Sequence, residues 1–184
     1  MLAQFAMRPP AGGVAVDLGA IRDVWAYNLK EEMEKMRDIG EDYPYVAVDT
    51  EFPGCVAKPS GTFRSAKDYN YQTVKCNVDL LKVIQIGLTF CDSSGNTPPG
   101  VSTWQFNFAF DLVQDLYAQE SIEFLRGCGI NFDRHVHEGI AVEDFAEQLT
   151  TSGIVLNDKM MWISFHGSYD FAYLLKILTC QLLP

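Results

Sequence analysis

Two acidic side chains stand two residues apart at the end of a short apolar run. Residues 45–51 read Tyr-Val-Ala-Val-Asp-Thr-Glu, and this composition predicts a β-strand. The strand period of two places Asp49 and Glu51 on one face, about 6.6 Å apart along the backbone at ~3.3 Å per residue. Two buried carboxylates are unfavourable unless a cation lies between them. Such oxygen ligands suit Mg²⁺ or Mn²⁺, and pairs of these ions cleave phosphodiesters.

The alternative is structural. The strand could end at Asp49 and leave both carboxylates in solvent, and an Asp-x-Glu pattern taken alone favours that alternative, because three residues match often by chance.

A third carboxylate follows the last apolar run of the chain. Residues 160–165 predict a buried strand, and residues 168–180 predict a helix with Asp170 in its first turn. A structural explanation is available here too, since Ser168 is a plausible N-cap and the helix dipole stabilises an early carboxylate. Asp170 would become a third metal ligand only if both strand ends met at one edge of the sheet, which the local sequence does not establish.

Histidine and serine offer weaker alternatives in the same segment. A serine hydrolase would place Ser168 in a Gly-x-Ser-x-Gly turn, but the second glycine is absent from residues 167–170. As a metal ligand His166 lacks a second histidine at helical or hairpin spacing, because His135 and His137 lie about thirty residues upstream in what we predict to be an acidic loop. The residues alone therefore favour a satisfied structural histidine at position 166.

The composition is that of one well-cored globular domain. The 184 residues are 48% hydrophobic and 21% charged, which excludes a disordered or fibrous chain. No apolar run approaches the ~20 residues of a membrane helix, so no membrane partner is expected. Five widely spaced cysteines without a Cys-x-x-Cys pattern exclude a disulfide framework and a zinc cluster. They predict a reduced, intracellular protein with buried thiols.

Charge is distributed unevenly along the chain. Fourteen Lys and Arg against 24 Asp and Glu give a net charge of -10, which argues against a simple electrostatic nucleic-acid binder. Only residues 53–82 are basic, and there positive groups alternate with aromatic rings, a mixture suited to phosphates and stacked bases. A solvated surface is the alternative. The groups concerned are Lys58, Phe63, Arg64, Lys67, Tyr69, Tyr71, Lys75 and Lys82.

Periodicity predicts the elements that must position these residues. Helices are expected over residues 21–36, 112–126, 142–149 and 168–180, and strands over residues 45–51, 83–90, 101–108 and 160–165. Gly40 is expected to end the first helix, and residues 1–20, rich in glycine and proline, form a loose N-terminal segment. The three consecutive strands predict a meander within a layered α/β or α+β domain over residues 21–184.

Four segments together resemble one family. They are residues 48–54 (Val-Asp-Thr-Glu-Phe-Pro-Gly), 77–90, 103–108 and 165–171, in collinear order. They are similar to the Caf-one/Pop-two deadenylases, the nuclease subunits of the Ccr/Not complex, and the resemblance runs from about residue 21 to the end of the chain. It implies an α/β fold of the ribonuclease H-like, DEDD exonuclease class, with a mixed sheet, a three-strand meander and flanking helices.

The resemblance also implies an activity. The expected reaction is 3′-to-5′ hydrolysis of the poly(A) tails of mRNA with release of 5′-AMP, using two divalent metal ions, Mg²⁺ or Mn²⁺. Asp49 and Glu51 match the family's first acidic motif and Asp170 matches the second, so these three are the implied catalytic and metal-binding residues. In the family's mechanism Asp49 bridges both ions, while Glu51 binds one and orients the attacking water. The expected RNA-binding residues are Lys58, Phe63, Arg64, Lys67 and His166.

Partners and location follow from the same resemblance. The expected partners are poly(A) RNA, the scaffold of the Ccr/Not complex and its second nuclease subunit, in the cytoplasm and the nucleus. The family extends beyond the position of Pro184 and carries there a fourth acidic ligand and a general-base histidine. We therefore expect that the C-terminal part of the domain is missing and that catalysis by these 184 residues is weak or absent. The alternative is a catalytically inactive, scaffold-binding subunit or fragment of the same complex.

Overall fold

A computed structural model describes residues 20–184, in which a five-stranded mixed sheet is flanked by six helices. The predicted N-terminal segment lies outside the described residues except for its last residue, Ala20, which begins the first strand. The strands are β1 (Ala20–Val24), β2 (Tyr45–Glu51), β3 (Gln85–Cys91), β4 (Val101–Asn107) and β5 (Met161–Ile163). The helices are α1 (Leu29–Asp42), α2 (Ala66–Leu80), α3 (Gln119–Gly127), α4 (Phe132–Glu138), α5 (Val142–Thr151) and α6 (Ser168–Thr179).

The strand order across the sheet is β1-β4-β3-β2-β5. The three central strands β2, β3 and β4 pair antiparallel and form the predicted meander, although the connection from β2 to β3 is long and contains α2. The outer strands β1 and β5 run parallel to their neighbours. This mixed α/β architecture confirms the predicted fold class. It also brings the carboxyl ends of β1, β4, β2 and β5 to one edge of the sheet.

One face of the sheet carries the main hydrophobic core. Val46 and Val48 of β2 point into it, and apolar side chains of α1, α5 and α6 pack against them. Burial of each such aliphatic side chain contributes about 1.5–3 kcal/mol. Because side chains alternate along a strand, Ala47 and Asp49 lie on the other face, which is exposed at Ala47 and half-buried at Asp49. The central strand therefore anchors the core and presents carboxylates on its opposite face.

The first predicted helix is wrong at its start. The periodic spacing of Ile21 and Trp25 fits a helix, but this segment forms β1, whose backbone pairs with the edge of β4. The helix α1 begins only at Leu29 and continues past Gly40, which is buried within it. Pairing with an existing strand edge outweighs a weak local preference for helix.

Three other helical assignments differ from the prediction. The helix expected over residues 112–126 begins only at Gln119, because Asp111 Oδ1 accepts the Val113 N–H at 2.8 Å and forms a turn instead. The acidic loop predicted around His135 is α4, whose first turn is capped by the side chain of Asn131. The sequence prediction had no counterpart for α2, which is capped in the same way by Ser65.

Two expectations about burial are also wrong. The strand predicted to be buried is β5, a three-residue edge strand in which Met161 and Ile163 are exposed. An edge strand has a neighbour on one side only, so its apolar side chains can remain in solvent. None of the five thiols is buried either, since Cys55, Cys128 and Cys180 are exposed and the others are half-buried and free. Among residues 20–184, no helix combines the length and apolar character needed to cross a membrane.

The helix α6 is fixed by its packing and by a lysine near its end. Tyr173, Leu174 and Ile177 are its buried apolar residues, whereas Phe171 and Leu175 of the predicted apolar face are exposed. A separate contact comes from Lys176.

Lys176 attaches α6 to the C-terminal end of α2. Its Nζ donates hydrogen bonds to the carbonyl oxygens of Val78 (2.6 Å) and Leu81 (3.1 Å). Carbonyl groups at a helix end lack hydrogen-bond partners within the helix, and the ammonium group of this lysine is the donor that they bind. Burial lowers the pKa of Lys176. The contact sets the position of α6 relative to α2.

Asn77 of α2 holds the loop that follows β2. Its side chain is fully buried. The Oδ1 atom accepts hydrogen bonds from the backbone N–H groups of Val56 (2.8 Å) and Ala57 (3.0 Å), and Nδ2 donates to the Ala57 carbonyl at 2.9 Å. Three backbone groups of the loop therefore have the same side-chain amide as their hydrogen-bond partner.

Replacing Asn77 by alanine should destabilise the domain by about 1–3 kcal/mol, because three loop backbone groups lose their partners. Urea unfolding followed by circular dichroism measures this free energy. The matched control is Asn70→Ala on the same helix, where the side chain is exposed and the expected change is within about 0.5 kcal/mol. Equal stability of the two variants would contradict the role assigned to Asn77.

Candidate active site

The candidate site lies at the edge of the sheet where β2 and β5 end. Asp49 and Glu51 lie within the last three residues of β2. The strand β5 pairs only with the first part of β2 and ends opposite Ala47. The chain then folds back through residues 164–167 into α6. This return brings Asp170, in the first turn of α6, to the end of β2.

Asp170 is 6% exposed and is held on both sides by hydroxyl groups. Its Oδ1 accepts a hydrogen bond of 2.6 Å from Thr50 Oγ1, and its Oδ2 accepts one of 2.8 Å from Ser164 Oγ. Thr50 stands between Asp49 and Glu51 in β2. The two acidic motifs, far apart in sequence, therefore meet at one edge of the sheet.

Asp49 experiences the negative charge of both other carboxylates. The pKa of Asp49 is raised, first by burial, then by the charge of Asp170 and, more weakly, by that of Glu51. The Thr50 N–H donates a 3.1 Å hydrogen bond to Asp49 Oδ1 and acts in the opposite direction. A neighbouring carboxylate raises a pKa only when its charge is close. The ionised form of Asp49 is therefore unfavourable here.

The ligand chemistry of these residues fits a divalent cation. All three donors are carboxylates, the ligand type that Mg²⁺ and Mn²⁺ prefer, and a cation would relieve their mutual repulsion. Within residues 21–184, however, no set of three or more His, Cys, Asp or Glu side chains is arranged to hold a metal ion. Asp49 therefore lies near two other carboxylates, but the three do not form a ready-made cage.

Aromatic rings that the sequence analysis did not single out reinforce the site. Phe52, directly after Glu51, stacks on Tyr169 with ring centroids 4.7 Å apart and also contacts Tyr173 at 5.3 Å. The Tyr169 hydroxyl lies 3.2 Å from Cys55 Sγ, and burial is the main cause of its raised pKa. The sequence could have indicated these two rings, because Phe52 and Tyr169 are each adjacent to one of the acidic candidates.

Two glycines permit the close packing around these residues. Gly54 has a φ of 87°, in the left-handed region, and a Cβ there would also lie 3.0 Å from the Ala118 Cβ. A Cβ on Gly167 would lie 2.6 Å from the Ser164 Cβ. Side chains at these positions would displace the two loops that flank the carboxylates.

His166 and Ser168 do not form a catalytic pair. Ser168 is the first residue of α6, and the N-cap is Gly167, which makes the predicted capping role of Ser168 wrong. His166 is exposed, and its ring packs edge-on against Phe165 with centroids 4.5 Å apart. In the described part of the chain, the Ser168 side chain makes no hydrogen bond with a histidine.

The buried structural histidine is His135. Its Nδ1 lies 2.7 Å from the Phe108 carbonyl oxygen, and burial lowers its pKa. A neutral, hydrogen-bonded ring in this position packs against Trp25 and belongs to the core.

The expected RNA-binding residues fall on two separate connections. Lys58, Arg64 and Lys67 are exposed on the loop after β2 and at the start of α2. Phe63 packs edge-on against Tyr69 at 5.0 Å and lines an open cleft of about 410 Å³ together with Arg64 and Gln72. His166 lies on the β5–α6 connection instead. Two other basic residues of the segment are paired with carboxylates, Lys75 with Asp79 and Lys82 with Asp115.

Comparison with known proteins gives one family. The model of the CAF1 family ribonuclease matches residues 24–152, a stretch that includes Asp49 and Glu51 but ends before Asp170. The poly(A) ribonuclease pop2 of Schizosaccharomyces pombe is 53% identical over 172 residues, which are 94% of this chain and 51% of that protein. "Probable CCR4-associated factor 1 homolog 10" of Arabidopsis thaliana is 54% identical over 169 residues, 89% of this chain and 61% of that protein.

Solved structures agree with this result. The Mg²⁺- and Mn²⁺-bound form of S. pombe Pop2p superposes with a TM-score of 0.88 at 55% identity, covering 89% of this chain and 65% of that one. A chain from the structure of the yeast NOT1 MIF4G domain co-crystallised with CAF1 superposes with a TM-score of 0.76 at 39% identity. The match covers 94% of this chain and 63% of that one. The chain spans about half to two thirds of the length of these relatives.

The electrostatics predict that Asp49 opposes folding at neutral pH. Its pKa in the folded chain is raised above the unfolded value, so ionisation destabilises the fold above the folded pKa and has no effect below the unfolded one. In EDTA, Asp49→Asn should therefore raise the Tm at neutral pH, by less than the about 2–4 °C that ~1 kcal/mol gives in a domain of this size, because solvent screens the charge of a half-buried group. The gain should shrink towards about pH 4.

Differential scanning calorimetry of both proteins across this pH range measures the effect. The control is Asp158→Asn in the exposed loop before β5, for which no gain in Tm is expected at either pH. A lower Tm for Asp49→Asn at neutral pH would show that Asp49 is stabilised by its surroundings, contrary to this prediction.

Proposed function

The chain belongs to the CAF1 family of ribonucleases, and from this premise we propose that it is a poly(A)-specific 3′-to-5′ exoribonuclease that shortens mRNA tails and releases 5′-AMP. The contact between Asp170 and Thr50 carries the proposal, because it gathers three carboxylates at one sheet edge. Such a cluster repels an anionic substrate, and bound cations would remove this repulsion.

We propose two divalent ions, Mg²⁺ or Mn²⁺, as cofactors held by Asp49, Glu51 and Asp170. When bound, such ions lower the pKa of a water molecule and stabilise the departing 3′ oxygen. A protein 55% identical to this chain has been solved in a Mg²⁺- and Mn²⁺-bound form, which supports the choice of ion. The family relationship supports the number of ions.

The three carboxylates have different tasks in this proposal. Glu51 is buried at the end of β2, where its carboxylate would bind an ion and orient the attacking water. Asp49 is half-buried, on the face of β2 opposite to Val46 and Val48, and would supply carboxylate oxygens to the ions. Asp170 is oriented by hydrogen bonds from two hydroxyl groups and would be the ligand that α6 supplies. The protein contributes mainly geometry to the reaction.

We propose that RNA enters along the loop after β2. The net charge of -10 repels RNA over most of the surface, whereas Lys58, Arg64 and Lys67 form a local basic stretch on that loop. Phe63 beside them offers a ring for base stacking. His166 would contact the RNA from the β5–α6 connection. Preference for adenine rests on the family alone.

We also propose that the chain assembles with the scaffold and the second nuclease of the Ccr/Not complex. One relative is named as a CCR4-associated factor 1 homolog, and one structural neighbour is a CAF1 co-crystallised with the NOT1 MIF4G domain. A second candidate function is a catalytically inactive, scaffold-binding subunit of this complex. The lack of a ready-made three-ligand set within residues 21–184 favours it.

Activity separates these two candidates. With Mg²⁺ or Mn²⁺ the 184-residue chain should slowly remove adenosines from the 3′ end of an adenosine-tailed RNA and release 5′-AMP, measured by gel electrophoresis and chromatography. Asp49→Ala should lower the rate by about 100-fold or more, since a metal ligand is lost. Asp158→Ala serves as the control and should retain the rate.

An unchanged rate in Asp49→Ala would refute the assigned site. No release of 5′-AMP by the unmodified chain in either metal, together with retained binding to a NOT1 MIF4G domain, would favour the inactive subunit.

The basic loop gives a separate prediction for binding. Lys58→Ala and Lys67→Ala should each reduce the slope of log affinity against log salt by about 0.7, the value for one lost phosphate contact on a single strand. Fluorescence anisotropy with poly(A) RNA in EDTA measures this slope. Lys159→Ala is the control, because Lys159 is exposed before β5 at the opposite edge of the sheet. Equal slopes for all variants would place the RNA elsewhere.

A further inference from the structure

We propose that Thr50 and Ser164 are positioning residues, whose hydroxyl groups set the orientation of the Asp170 carboxylate for binding a divalent cation. This inference rests on the proposed function, because the ligand role of Asp170 is part of that proposal. Neither side chain is acidic, so neither is itself one of the proposed carboxylate ligands.

The two hydrogen bonds fix the plane of the carboxylate. Thr50 Oγ1 donates to Oδ1 at 2.6 Å and Ser164 Oγ donates to Oδ2 at 2.8 Å. These lengths are close to the ~2.5–2.7 Å of charge-assisted O–H···O⁻ bonds. Rotation of the Asp170 carboxylate would break at least one of them. Each oxygen accepts about two hydrogen bonds or metal contacts, so both remain able to bind an ion.

Both donors are themselves held in place. Thr50 is 5% exposed and pairs with Ile86 of β3, and β-branching restricts its side-chain rotation. Ser164 follows β5 directly, and the absent side chain of Gly167 leaves space for it. The orientation of the Asp170 carboxylate is therefore set by two residues outside its own helix, Thr50 in β2 and Ser164 directly after β5.

The neutrality of both donors matters for a metal site. A lysine partner would hold a carboxylate equally well but would offset the negative charge that attracts a cation. Elsewhere in the described chain carboxylates do have such partners, for example Asp115 with Lys82 at 2.7 Å. Hydroxyl groups orient Asp170 and leave its charge intact. This difference favours a ligand-positioning role over a purely structural one.

Paired substitutions separate the hydroxyl group from the shape of the side chain. Thr50→Val removes the hydroxyl and keeps the shape, whereas Thr50→Ser keeps the hydroxyl, and Ser164→Ala and Ser164→Thr form the second pair. The apparent Kd for Mn²⁺ of the 184-residue chain is measured from the electron paramagnetic resonance signal of free Mn²⁺. The Val and Ala variants should bind about 10–100-fold more weakly, and the conservative variants should stay within about threefold.

Asp170→Asn provides the reference for loss of the ligand itself. If it weakens Mn²⁺ binding while the Val and Ala variants do not, the positioning role is wrong and the proposed metal site stands. If Asp170→Asn leaves Mn²⁺ binding unchanged, the proposed function fails at this ligand and the inference fails with it. Circular dichroism verifies that each variant is folded, and the Ser164 pair decides the question should Thr50→Val fail to fold.

A metal-free measurement tests the hydrogen bond directly. A Thr50 hydroxyl proton bound to a buried carboxylate should exchange slowly and give a resolved proton NMR signal in EDTA. The signal should persist in Thr50→Ser and disappear in Thr50→Val. Its absence from the unmodified chain would overturn the inference whatever the activity of the protein.

Discussion

A hydrogen bond of 2.6 Å between Thr50 Oγ1 and Asp170 Oδ1 joins the end of β2 to the first turn of α6. The stack of Phe52 on Tyr169 lies beside it, and Lys176 attaches the same helix to the end of α2. The helix is thus held at both ends. Neither β2 nor α6 alone carries all three candidate carboxylates, so the proposed metal site depends on this junction.

The junction places like charges together, which opposes folding. Burial and the neighbouring carboxylates raise the pKa of Asp49, a sign that the ionised group is held at the expense of stability. The strand that carries it compensates through its other face, where Val46 and Val48 lie in the core. Because side chains alternate along a strand, one element serves both stability and function. Active sites commonly concentrate such unfavourable electrostatics in a rigid setting.

The elements that were predicted well have strong local patterns. The strand over residues 45–51 has the bounds of β2, and residues 142–149 and 168–180 lie in α5 and α6 with ends shifted by at most two residues. The errors lie where a distant partner decides the structure. Ile21 and Trp25 fit a helix, but β1 pairs with β4, and the helix around His135 is stabilised by its contact with the carbonyl of Phe108. Such partners leave no periodic pattern in the sequence.

The sequence by itself determined the mixed α/β class, the meander and the resemblance to the CAF1 family, because these follow from period, turn residues and collinear motifs. It also identified Asp49, Glu51 and Asp170 as candidates, because these carboxylates follow apolar runs and match the acidic motifs of the family. Only the tertiary structure decided that Thr50 and Ser164 hold Asp170, that β5 is an exposed edge and that His166 is in solvent. These features depend on contacts between residues far apart in the chain, and the geometry of such contacts exists only once the sheet and α6 have packed.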